Sequence, residues 1–122
     1  MNLIDKLLRI KVWSWLCGGL IIALCAIPSK EIPHSLNFYD KTQHFLAFGA
    51  WAFLAMYAYS SWLKVVIGGA LFGYGIEIMQ YLLPVSFHRA YDLADVLADF
   101  IGVLLGILLA ILFSKIFKQG EK

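Results

Sequence analysis

Four long apolar runs, separated by short breaks, constrain this chain more than any other feature. They cover residues 12–27, 45–63, 65–83 and 93–117. Pro28 ends the first run, Ser60, Ser61 and Lys64 mark a tight turn after the second, and Pro84 ends the third. Spanning a bilayer as a helix takes about 20 apolar residues. The first run is a little short, and flanking residues make up the distance by snorkelling. Spanning strands would show segments of about ten residues alternating polar and apolar, and nothing here alternates that way. The spacing predicts helices over about 12–27, 42–63, 65–83 and 92–117. The expected fold is all-α: a polytopic membrane protein, one domain over 1–122, built as a four-transmembrane-helix bundle.

Composition agrees. Apolar residues make up 61% of the 122 and charged ones 15%, against about 45–50% and about 25% in soluble chains. Mean hydropathy is +0.78, which leaves too little polar surface to cover a ball in water. These figures exclude a disordered chain and a collagen-like fibre. The formal charge is only +2 and no basic stripe with interleaved aromatics appears, which excludes nucleic acid as a partner. Cys17 and Cys25, eight residues apart in the first run, would lie about 12 Å apart on one helix. That is beyond the roughly 7 Å limit for a disulfide, so both are expected to be thiols.

The segment before the first run carries Lys6, Arg9 and Lys11, as a signal peptide would. The small-residue cleavage pattern is poor, because Leu24 and Cys25 precede Ala26, and a leucine before each cysteine fits a lipoprotein signal badly. The first helix is therefore expected to be retained. Leu3, Leu7 and Ile10 repeat at helical spacing beside basic residues, which predicts a short interfacial helix over 2–11. With the amino terminus inside, the inner segments hold Lys6, Arg9, Lys11, Lys64, Lys115, Lys118 and Lys122, and the outer ones only Lys30, Lys41 and Arg89. This bias places both termini in the cytoplasm and the protein in the inner or plasma membrane as a multi-pass chain.

The acids run the other way. Glu77 lies six residues before Leu83, about 9 Å below the outer helix end, with Gln80 on the same face. Asp92, Asp95 and Asp99 form one stripe on the fourth helix, and Asp99 reaches the depth of Glu77. Asp40, Lys41 and His44 open the second helix, and Arg89 sits in the loop between the third and fourth. Ionised groups at depth are costly in lipid, by a few kcal/mol or more, so they should face one another or water. The expected site is an outward-facing polar funnel lined by Asp40, Lys41, His44, Glu77, Gln80, Arg89, Asp92, Asp95 and Asp99. Taken singly, several have plainer readings: Asp92 as a helix cap, Lys41 as a membrane-edge anchor, His44 as a satisfied core histidine, Arg89 as a counter-charge. Glu77 and Asp99 resist such readings because both lie well inside apolar runs.

These residues resemble the VanZ-like family of small membrane proteins. The pattern is D-K-x-x-H-F (Asp40 to Phe45), E-x-x-Q (Glu77 to Gln80), R-x-x-D-x-x-D (Arg89 to Asp95) and G-x-x-x-G (Gly102 and Gly106), with Phe48 and Gly49 also fitting. Each motif is weak alone, but their order and spacing over about 12–112 are fairly specific. The family usually shows asparagine where this chain has Asp99. The resemblance implies a role in the cell envelope and a link to glycopeptide-type antibiotic resistance, of the kind seen with teicoplanin. It does not fix a biochemical activity.

Four functions fit the residues. The first is binding or processing of the head group of a membrane lipid or envelope glycolipid, with Arg89, Lys41 and His44 holding a phosphate or carboxylate. The second is a metal-dependent lipid hydrolase or phosphatase, with His44, Glu77, Asp95 and Asp99 as ligands for magnesium, manganese or calcium. No H-E-x-x-H, G-x-S-x-G or P-loop spacing supports it, and the sequence assigns neither a catalytic residue nor a cofactor. The third is a proton- or ion-coupled transporter using Glu77 and Asp99 as relays. The fourth is a helical scaffold. The pairs Gly69–Gly73 and Gly102–Gly106 allow close helix contacts, ordinarily within the monomer, and leave a homo-oligomer open.

Overall fold

A computed structural model describes residues 3–27, 40–84, 86 and 93–120. The described residues form five helices and no strand: α1 (Leu3–Leu8), α2 (Lys11–Ala26), α3 (Asp40–Tyr59), α4 (Trp62–Leu82) and α5 (Leu93–Gly120). The expected short helix before the first run is α1, and Arg9 and Ile10 turn the chain from it into α2.

Among the described residues, two helices are long and apolar enough to cross a membrane, α4 with 21 residues and the first 24 residues of α5, Leu93–Ile116. The expectation of four such helices is corrected on this measure. The helix α2 has 16 residues and falls short of the required length. The helix α3 has 20 but is less apolar than its neighbours, because Asp40, Lys41, Gln43 and His44 open it.

The turn between α3 and α4 lies earlier than the apolar pattern suggests. The second run predicts a helix to residue 63, yet α3 stops at Tyr59, and Trp62 and Leu63 belong to α4. Ser60 takes a left-handed backbone, φ 54°, and its N–H donates to the Met56 carbonyl at 2.9 Å. Ser61 then caps α4 by accepting from the Lys64 N–H at 3.3 Å, which satisfies an otherwise orphaned donor. Hydrophobicity alone does not place this break, because Trp62 and Leu63 are apolar; the serines that mark the turn in the sequence do, Ser60 by its left-handed backbone and Ser61 by capping α4.

Packing fixes the directions. A Cβ on Gly18 of α2 would touch Trp51 of α3 and Phe72 of α4 at 3.6 and 3.8 Å. Trp15 of α2 donates to the Tyr59 hydroxyl at 2.9 Å. The pairs 15–59 and 18–51 make α2 and α3 antiparallel. Gly69 faces Val103 and Gly73 faces Asp99, so α4 and α5 are antiparallel too. Between α3 and α5 the partners advance together, Phe45 with Gly102, Gly49 with Gly106 and Phe53 with Phe113. These two helices run parallel and share the most extensive contact among the described helices. It is close because it is built on glycine: a Cβ on Gly102 would collide with the Phe45 carbonyl, and one on Gly106 with the Gly49 carbonyl. Both glycine pairs of the sequence thus pack inside the chain.

The start of α2 and the far end of α5 consequently lie at one end of the bundle. The starts of α3 and α5 and the close of α4 meet at the other. The core holds Phe48, Ala52, Val65, Ile76, Val103 and Ile107. Outside, Leu16, Leu20, Ile67, Leu71, Leu97, Leu104, Leu108 and Leu112 are exposed, while His44, Glu77, Gln80, Asp95 and Asp99 are buried. A water-soluble bundle would show the reverse. Cys17 and Cys25 are free thiols, as their spacing requires.

Candidate functional site

Because α4 runs against α3 and α5, its last turns meet the first turns of both. That brings together side chains from three helices. His44 comes from the second turn of α3, Glu77 from near the end of α4, and Asp95 and Asp99 from the first two turns of α5. All are buried: Glu77 is 0% exposed, Asp99 1%, Asp95 4% and His44 6%.

The imidazole organises the group. Its Nδ1 shares a hydrogen bond with Oδ1 of Asp99 at 2.8 Å. Its Nε2 faces Oδ2 of Asp95 at 3.8 Å. Asp95 and Asp99 are one helical turn apart on α5, so a ring lying across that face touches both. One ligand atom each from His44, Glu77 and Asp99 lies within 4.8 Å of the others.

Below this polar layer the site is closed. Phe48 lies one turn beyond His44 on α3, and Val103 one turn beyond Asp99 on α5, both 0% exposed. Gly73 stands one turn before Glu77 on α4, and a Cβ there would sit 3.1 Å from Oδ2 of Asp99. The bare glycine backbone makes room for this carboxylate. The pair Gly69–Gly73 reads from the sequence as helix packing, and nothing in it marks Gly73 as the wall of a polar site.

Electrostatics set what the group can do. Three carboxylates face one imidazole away from bulk water. Buried charge is expensive unless it is balanced, so carboxylates placed here require positive charge or protons beside them. The arrangement can pass a proton between His44 and the aspartates, accept hydrogen bonds from a ligand, or hold a cation.

Gln80 takes another role. It is buried one turn from Glu77, and its Nε2 donates to the Cys25 carbonyl at 3.3 Å. It therefore ties the end of α4 to the end of α2. Asp40 and Lys41 occupy the first turn of α3, and their side chains lie outside the described residues. Arg89 and Asp92 lie outside them altogether, as do residues 28–39. Of the nine expected site residues, the structure gathers His44, Glu77, Asp95 and Asp99.

A profile of the VanZ/LLP1 family matches residues 7–114. The chain belongs to the VanZ/LLP1 family. The match takes in α2, α3, α4 and most of α5, and with them all nine expected site residues. No curated protein and no solved structure matches this VanZ-like chain.

Proposed function

We propose that this VanZ-like protein is a multi-pass protein of the inner or plasma membrane that binds or processes the head group of a membrane lipid or envelope glycolipid. In this reading the bundle is one domain anchored in the membrane at least by α4 and α5, both termini are cytoplasmic, and the polar end of the bundle faces outward. One observation carries it: buried His44, Glu77, Asp95 and Asp99 converge from three helices onto an apolar floor. The apolar exterior and the distribution of basic residues support the membrane setting. Carboxylates accept from sugar or glycerol hydroxyls, and Arg89 with Lys41 supplies donors for a phosphate or carboxylate. Family membership supports a contribution to glycopeptide-type antibiotic resistance. The test is sensitivity to a teicoplanin-type antibiotic in a host that the wild type protects. Glu77→Gln, Arg89→Gln and Asp95→Asn, at equal membrane levels, should each remove the protection. Full protection by all three contradicts the reading.

A second reading is a metal-dependent lipid hydrolase or phosphatase. The close approach of ligand atoms from His44, Glu77 and Asp99 supports it. The two carboxylates suit magnesium, manganese or calcium, which would stabilise phosphoryl oxygens. Metal analysis after purification without chelators tests it. About one equivalent in the wild type, lost in Glu77→Gln, is the expected result, and a metal-free wild type contradicts it.

A further inference from the structure

We propose a second binding site, for a phosphate group, at the end of the bundle opposite the His44–Glu77–Asp99 cluster. It is a cavity of about 190 Å³ between the turn after α1, the end of α3 and the late part of α5, and its polar lining is Arg9, Tyr57, Ser60 and Ser114. That is room for far more than one water.

The lining is rich in donors. Tyr57 is 4% exposed, and its hydroxyl meets no hydrogen-bond partner among the described residues. A buried hydroxyl left so calls for a ligand. Arg9 spends one guanidinium N–H on Oγ of Ser60 at 3.1 Å and lies over the Tyr57 ring, 6.0 Å from its centroid. Its remaining N–H groups, and the Ser60 hydroxyl hydrogen, stay available. Ser114 donates to the Ile111 carbonyl at 3.0 Å, which fixes its oxygen at the cavity wall. A planar cation beside two hydroxyl donors suits a group with several acceptor oxygens and a negative charge. Asp5, buried one turn before Arg9, offsets one charge. Lys6, Lys11, Lys64 and Lys115, all exposed, keep this end basic.

The surroundings favour a lipid as the source of that phosphate. Trp13, Trp15, Tyr59 and Trp62 are exposed around the same end, Trp15 at 71% and Trp62 at 60%. Such a ring of amphipathic aromatics lies at head-group depth, and the cavity lies level with it. This site is independent of the outer cluster and of what that cluster binds.

Native mass spectrometry of the full chain, released from micelles doped with phosphatidylglycerol or with diacylglycerol, tests it. The wild type should retain phosphatidylglycerol at least fivefold over diacylglycerol, which has no phosphate. Tyr57→Phe keeps the ring against Phe53 and Phe113 and removes only the hydroxyl; it should cut retention at least threefold. Arg9→Gln should abolish the preference. Displacement by excess inorganic phosphate would assign the site to free phosphate, and persistence of the adduct would assign it to the lipid; either supports a phosphate site. Equal retention of the two lipids, or wild-type retention by both variants, overturns it.

Discussion

Gly73 on α4 stands against Asp99 on α5 so closely that a Cβ would come within 3.1 Å of both the Asp99 Cβ and its Oδ2. The position of the carboxylate thus depends on a missing side chain in a neighbouring helix. Gly73→Ala should press Asp99 away from His44 and destabilise the chain by about 1–3 kcal/mol, the usual cost of overpacking. Gly75, half a turn on, has nothing within 4 Å. Gly75→Ala should be neutral or stabilise by up to about 1 kcal/mol through helix propensity. Thermal unfolding of both variants in one detergent checks the contrast.

The bond from His44 to Asp99 predicts a second contrast. Asp99→Asn keeps an oxygen that can accept from Nδ1 of His44, whereas Asp99→Ala leaves a buried ring without its partner at 2.8 Å. Asparagine should retain most of the wild-type stability. Alanine should lose about 3–5 kcal/mol, as when one member of a buried pair is removed. Similar unfolding midpoints for the two variants would contradict this.

Much of this arrangement is legible in the sequence, and the reasons are physical. Charged residues inside apolar runs are costly, so Glu77 and Asp99 stand out. Counting residues from the helix ends places them at one depth, and the structure brings them together with His44 and Asp95. Gln80 shows the limit. Its spacing puts it on the face of Glu77, but spacing cannot say that the end of α2 borders that face with the Cys25 carbonyl. Tyr57 shows another. A tyrosine in an apolar run carries no mark of its own, and Arg9 and Ser60, its neighbours in the cavity, are 51 residues apart in sequence. The span count differs because the polar start that makes α3 part of the site also lowers its apolarity.

The Gln80 contact predicts an effect separate from the polar cluster. Gln80→Ala should cost about 0.5–1.5 kcal/mol, the net value of one hydrogen bond. Gln80→Glu should cost more, because a carboxylate oxygen would face the Cys25 carbonyl where an amide now donates at 3.3 Å. Unfolding midpoints ordered wild type, alanine, glutamate are the expected result.

The interface of α3 with α5 should be the least tolerant of substitution. Alanine at Gly102 would drive its Cβ into the Phe45 carbonyl, and at Gly106 into the Gly49 carbonyl and the Ala52 side chain. Backbone atoms cannot rotate out of the way, so the helices must separate along their length. Each variant should lose more stability than Gly73→Ala, read as a lower yield of monodisperse protein and a lower midpoint.

The most direct test of the proposed head-group site is to compare the lipids and glycolipids that co-purify with the wild type and with Glu77→Gln. Both proteins should be extracted from the same host and matched for unfolding midpoint. One head-group class should be enriched on the wild type and fall at least tenfold on the variant. Identical profiles on two equally folded proteins would contradict a head-group site at the His44, Glu77, Asp95 and Asp99 cluster.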